Sequence, residues 1–180
     1  MDKILTIAKE HFKNATEVPL ESVDISDEVR RMCEQNKCGL YGKNWTCPPA
    51  VKTLDEFRKE MERYDSFILV YHVYPLESSF NFKAMKDAAA DFNERVLQMK
   101  KELEGDCPGS KTLVMGVGGC GFCQKCSYIE NKPCRRPEDA VVSLEALGID
   151  VMKLMRDNGL RYYNGKHTVT YIGGVAYLKE

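Results

Sequence analysis

A run of thiols at every third position constrains this chain more than any other feature. Gly118-Gly119-Cys120-Gly121-Phe122-Cys123-Gln124-Lys125-Cys126, closed by Cys134, reads C-x2-C-x2-C-x7-C. That is the local pattern of a [4Fe-4S] ligand set, in which each cysteine can address a different iron corner of one cubane. A single zinc ion would have to draw three crowded thiolates and a fourth into one tetrahedron, and zinc sites more often space their ligands as two separated pairs. A disulfide needs Cα atoms about 4.4–6.8 Å apart with converging Cβ vectors, and nothing in so crowded a loop favours that. The spacing therefore favours iron–sulfur, with zinc as the alternative.

A second group, Cys33, Cys38 and Cys47, lies in the frame C-x4-C-x8-C-P-P. Gly39, Gly42 and Asn44 within it mark irregular backbone. Pro48 and Pro49 hold the exit extended and withhold two N–H donors. Such a loop can aim thiols inward around a cofactor. Free cysteines also pack as small hydrophobes, but this loop has few aliphatic residues with which to bury three of them.

Eight cysteines in 180 residues would suggest four disulfides in a secreted chain. The first ten residues lack signal-peptide architecture, because a short apolar run is followed directly by Lys9 and Glu10. No stretch of about 20 apolar residues is present, so no membrane span is expected. The expectation is a reducing cytoplasm, where many cysteines imply metal or redox chemistry. With 26 basic and 27 acidic residues, the charge balance gives no argument for nucleic acid or an anionic membrane. A hydrophobic fraction of 43% over this length suits one domain, 1–180, with cysteine loops at 33–49 and 118–137.

Periodicity places the elements. Residues 3–14 read as an amphipathic helix behind a candidate cap at Asp2, with His11 a half-buried packing residue on its apolar stripe. Residues 18–25 read as a weak strand that Pro19 confines to an edge or a strand start. Ser26 caps a short helix reaching about Cys33. Thr53 and Glu56 form a capping box for a helix over 54–64. Residues 66–74 are apolar on both faces and predict a central strand, with His72 a satisfied core or rim histidine. A long helix spans 79–104; its stripe suits a sheet better than a coiled-coil seam, since polar residues fill the other face. A strand at 112–117 runs straight into Gly118-Gly119-Cys120. Residues 143–147 predict a helical turn, Asp150 caps a further helix, and 167–178 form a strand. There Gly173-Gly174 marks a bulge or a close backbone approach.

Strand 66–74, helix 79–104 and strand 111–117 make a β-α-β unit, so the two strands are expected to be parallel neighbours. The fold class is α/β: a small mixed or mostly parallel sheet of three to four strands, flanking helices, and both cysteine loops on one rim. Cys120 leaves its strand at the carboxyl end, where open α/β sheets place their sites. Cys33 shares that rim if the strand before it is also parallel. Cys107 approaches strand 111–117 from the opposite rim, which makes it a poor fourth ligand for the first group.

With both groups read, the chain resembles a family of cysteine-rich "predicted metal-binding proteins", chiefly of anaerobic bacteria and archaea. The matching features are Cys33, Cys38, Tyr41-Gly42, Trp45 and Cys47-Pro48-Pro49. Further on come Gly119-Cys120, Cys123, Cys126, Cys134-Arg135, Pro137 and Ser143-Leu144-Glu145-Ala146-Leu147-Gly148-Ile149-Asp150-Val151. The resemblance implies metal binding; it supplies no substrate.

The functional expectation is an iron–sulfur protein with one or two [4Fe-4S] clusters, acting in electron transfer or redox chemistry with a redox partner protein or a small molecule. Cys120, Cys123, Cys126 and Cys134 would hold one cluster, and Cys33, Cys38 and Cys47 the other. The alternatives are an enzyme whose three-thiolate cluster keeps an open iron for a small substrate, and a zinc-stapled interaction module. Tyr41, Trp45, Arg135 and Arg136 are the candidates to line such a pocket. The two arginines are equally readable as ordinary surface charges.

Overall fold

The computed structural model describes residues 3–179. Asp2, the candidate cap, lies outside them. Helix α1 (Lys3–His11) leads into strand β1 (Asn14–Val18), and α2 (Asp27–Glu34) and α3 (Leu54–Met61) follow. Then come β2 (Ser66–Pro75), α4 (Phe82–Asp106), β3 (Thr112–Met115), α5 (Val151–Asp157) and β4 (Thr168–Tyr177).

The helix starts obey local chemistry. Ser26 accepts from the Glu28 N–H at 3.2 Å. At α3, Thr53 accepts from the Glu56 N–H while the Glu56 carboxylate accepts from the Thr53 N–H, so two otherwise unpaired donors are satisfied reciprocally. Asp150 caps α5 through the Lys153 N–H at 2.9 Å. Helix α3 turns Leu54, Phe57 and Met61 inward. Burying each side chain of that size stabilises by about 1.5–3 kcal/mol.

The four strands lie in the order β1-β2-β4-β3, and every pairing is antiparallel. This corrects the expected parallel neighbours. Strands β2 and β3 do point the same way, as a crossover helix demands, but β4 lies between them and opposes both. Residue patterning shows that a strand is covered on both faces; it does not show which strand lies beside it. The Gly173-Gly174 pair fits this insertion. The ladder runs through it without a bulge, while a Cβ at Gly173 would sit 2.6 Å from the Met115 carbonyl oxygen. A Cβ at Gly174 would collide with the Phe67 ring.

Alternation along β2 divides the interior. Ile68 and Val70 face a core built with α1 and α4, including Ile4, Phe12, Phe92 and Val96. Phe67 and Leu69 face a second core with Phe57, Leu144, Leu154 and Met155. His11 bonds Glu102 across α1 and α4 at 2.7 Å, and His72 lies ring to ring with Tyr74, 4.5 Å between centroids. Both therefore have structural surroundings. Among the described residues no helix is long and apolar enough to cross a membrane.

The strand expected at 18–25 is also corrected. Strand β1 ends at Val18, and Leu20–Ser22 forms a 3-10 turn. Because β1 opposes β2, its exit lies at the end of the sheet away from the β3 exit. The first cysteine loop reaches the β3 exit by a different route. Residues 24–26 lie antiparallel to 148–150: Ile25 bridges Ile149, the Ser26 N–H donates to the Gly148 carbonyl at 2.7 Å, and the Asp150 N–H donates to Asp24 at 3.1 Å. That splice sets α2 beside the turn at Glu145–Leu147, and Cys33 comes with it.

Candidate metal centre

The second cysteine loop is closed at its base. The chain leaves β3 through Gly116 and Val117 and returns at Val142–Leu144. There the Gly116 N–H donates to Val142 at 3.0 Å, and the Leu144 N–H donates to the Gly116 carbonyl at 3.2 Å. Asn93 of α4 clamps Val117 from both sides, accepting from its N–H at 3.0 Å and donating to its carbonyl at 2.8 Å. Gly116 leaves room for that clamp, since a Cβ there would lie 2.6 Å from Asn93 Oδ1. The loop has little core of its own and is knit by polar bonds. Ser127 donates to the Pro133 carbonyl at 2.8 Å. Arg135 donates to the Lys125 carbonyl at 2.8 Å, and the Arg136 guanidinium lies 5.3 Å from the Phe122 ring centroid.

The first loop folds as consecutive tight turns. The Asn36 N–H donates to Cys33, Gly39 to Asn36, Lys43 to Leu40, and Cys47 to Asn44; Gly42 closes onto the Pro48 carbonyl at 2.9 Å. Gly39 and Gly42 take positive φ values of 78° and 67°, conformations that glycine adopts at no steric cost.

Asn44 and Thr46 join the two loops, and both are buried. Asn44 donates to the Cys120 carbonyl at 2.9 Å, and Thr46 Oγ1 accepts from the Cys120 N–H at 2.8 Å. Asn44 Oδ1 in turn accepts from the Thr46 N–H and hydroxyl, both at 3.0 Å. Trp45 adds a third tie, donating to the Lys132 carbonyl at 3.1 Å and meeting the Tyr128 ring edge-on at 4.9 Å. Gly119 packs so tightly against the first loop that a Cβ would lie 2.6 Å from Leu40 Cδ1 and 3.2 Å from Cys47 Sγ.

Seven thiols converge on this junction, in two sets. Cys33, Cys38 and Cys47 line one hollow of about 260 Å³. Cys120, Cys123, Cys126 and Cys134 line a smaller one of about 20 Å³. All eight cysteines are free thiols. Cys107 lines neither hollow; it caps α4 and packs on the α1–α4 core, at the end of the sheet opposite the loops. Burial pushes the Cys47 thiol up to about 11, with the Cys38 and Cys33 thiols adding to the rise. Cys33 is raised by burial and by Cys38, and Cys120 by burial and, in smaller part, by Cys123 and Cys134. Burial is the main reason these thiols resist ionisation and repulsion between neighbouring thiolates the lesser one; a bound cation offsets both.

A family model of predicted metal-binding proteins, DUF2284, matches residues 16–177. The chain belongs to that family. No curated protein and no solved structure matches the chain.

The family's description and the donor set agree. Soft sulfur donors select zinc, copper(I) or iron–sulfur units over hard cations. Among the described residues no three His, Cys, Asp or Glu side chains close on one ion; the thiols surround volumes instead.

Other expected residues divide between the two hollows. Tyr41 lines the three-thiol hollow, whereas Trp45, Arg135 and Arg136 line the four-thiol one. Both arginines bond to the loop backbone, Arg135 to the Lys125 carbonyl and Arg136 to the Phe122 carbonyl at 3.4 Å, while their side chains stay about half exposed.

Sequence reasoning missed three residues as participants: Asn44, Thr46 and Glu145. Asn44 and Thr46 sit inside a loop already singled out, yet polar residues there read simply as turn formers. Glu145 lines the three-thiol hollow and is one of two acidic residues, with the helix cap Asp150, in the 143–151 segment that carries the family resemblance. Its Oε2 is sealed from solvent without a hydrogen-bond partner, and burial raises its carboxyl above the ordinary carboxylate range.

Proposed function

We propose that this chain is an iron–sulfur protein with two [4Fe-4S] centres, one on Cys120, Cys123, Cys126 and Cys134 and one on Cys33, Cys38 and Cys47, working in electron transfer or redox chemistry. The observation that carries the reading is the convergence of seven free thiols into two adjoining hollows bridged by Asn44 and Thr46. Such centres supply one-electron redox capacity when bound. The protein's own part is to hold the thiols and to direct amides and guanidinium groups around the four-thiol hollow, levers that set a cluster's potential. Eight free thiols suit a reducing compartment.

A second reading is favoured by the size of the three-thiol hollow. At about 260 Å³ it is far roomier than the four-thiol hollow of about 20 Å³, and three protein ligands with an open position mark catalytic metal sites. In that reading the chain is an enzyme, and its reduced form changes its EPR spectrum when a small donor ligand is added.

Anaerobic purification followed by iron, sulfide and zinc analysis tests the proposal. The expected protein is brown, absorbs broadly near ~400 nm, and carries about four irons per cubane. Cys123→Ser and Cys38→Ser each remove about half of the iron, and Cys107→Ser removes none. A colourless, zinc-loaded sample would sink both readings and leave the zinc-stapled module.

A further inference from the structure

The three-thiol centre lacks a fourth cysteine, since Cys107 lies at the far end of the sheet. A carboxylate stands there instead. Glu145 lines the same hollow as Cys33, Cys38 and Cys47. The Cys33 thiol lies 3.9 Å from the Glu145 carbonyl oxygen, so the side chain springs from backbone that already touches the thiol set. Its Oε2 is buried and bonded to nothing. A buried acceptor left unpaired is costly, more so when charged, and such a group calls for a partner missing from the polypeptide.

The backbone holding Glu145 is fixed from several directions. Ser143 accepts from the Ala146 N–H at 3.1 Å. Arg30, one turn before Cys33 on α2, donates through its terminal amine to the Ala146 and Lys52 carbonyls, both at 2.9 Å. The guanidinium therefore spans α2 and the Glu145 turn. Its own Nε is also sealed and unpartnered. As a cationic N–H donor it cannot ligate a metal; the unpaired Glu145 oxygen, which lines the hollow, can.

We infer that Glu145 is the fourth protein donor of the centre held by Cys33, Cys38 and Cys47, an assignment that rests on the iron–sulfur reading above. A carboxylate oxygen is a harder donor than a thiolate and holds a soft site less firmly. An iron held by Glu145 would be the corner that exchanges most readily. This joins the two functional readings: the corner is filled at rest and is displaceable by a small ligand.

The test uses the full chain, purified anaerobically as wild type, Glu145→Gln, Glu145→Ala, Glu145→Cys and Cys33→Ser. Each is oxidised stepwise with ferricyanide and followed by iron count and EPR. A cubane that sheds one Fe2+ and gives one electron to ferricyanide becomes an EPR-active [3Fe-4S] centre. The expected result is that Glu145→Gln and Glu145→Ala reach that signal at several-fold lower oxidant than wild type, with loss of about one iron in eight. Glu145→Cys, restoring a thiolate, should resist oxidation at least as well as wild type. Should Ala at this position prevent folding, the near-isosteric Gln variant still decides. Gln and Ala variants matching wild type in iron count and oxidation, while Cys33→Ser loses half its iron, would overturn the Glu145 assignment alone. Unchanged iron in Cys33→Ser would bring down the assignment together with the two-centre reading.

Discussion

Asn44 reaches across 76 residues of sequence to donate its side-chain amide to the backbone carbonyl of Cys120, 2.9 Å away. One side chain of the first cysteine loop thereby fixes the first cysteine of the second. Thr46, anchored on Asn44, completes the grip by accepting from the Cys120 N–H. The loops are one polar unit, and disturbing either reaches both.

Thr46→Val tests that unit with little change of shape. It leaves the Cys120 N–H without its acceptor in a buried setting, which costs about 1–3 kcal/mol. The expected outcome is a lower midpoint in urea unfolding and faster iron loss to a chelator, from both centres. Iron loss confined to the first loop would show that the bridge does not couple them.

Gly148 governs the position of Cys33 from a distance. It sits at φ 84°, and a Cβ there would lie 2.5 Å from Leu54 Cδ2 and 3.3 Å from the Ser26 carbonyl. Leu54 can move, but Ser26 belongs to the splice that carries α2. A left-handed conformation alone costs a residue with a Cβ about 1–2 kcal/mol. Gly148→Ala is expected to lower the melting temperature and to deplete iron from the three-thiol centre first. An unchanged melting curve with full iron would refute the argument.

Arg135 tests whether the basic pair holds the loop or merely decorates it. Its two terminal nitrogens serve different partners, the Lys125 carbonyl and the Glu130 carboxylate. A lysine ammonium lacks that planar fork. Both Arg135→Ala and Arg135→Lys are therefore expected to speed iron loss from the four-thiol centre a few-fold. Full rescue by lysine would reduce the role to charge alone.

Metal removal separates the loops from the sheet. Residues 33–49 and 118–137 are held by turns and polar bonds, whereas Phe67, Ile68, Leu69 and Val70 are fully buried between two cores. Binding free energy at such sites is folding free energy for the segments that supply the ligands. After anaerobic chelation, hydrogen exchange is expected to quicken in the two loops while β2 and β4 keep their protection. Joint loss of protection across the sheet would mean that the metal supports the whole fold.

The sequence by itself determined the local pieces. Caps at Ser26, Thr53 and Asp150, the doubly apolar run over 66–74 and the cysteine spacings each act within a few residues, where propensity, hydrogen-bond chemistry and periodicity suffice. Tertiary structure decided what no local rule reaches. A crossover helix fixes the common direction of β2 and β3, but the placing of β4 between them depends on two glycines meeting Met115 and Phe67 across the sheet. Cys33 comes to the rim through a backbone splice at Ile25 and Ile149, not through a parallel strand. The unpaired oxygen of Glu145 shows itself only when burial removes the water that any exposed carboxylate would have, because the demand for a partner arises from desolvation and desolvation is a property of the folded whole.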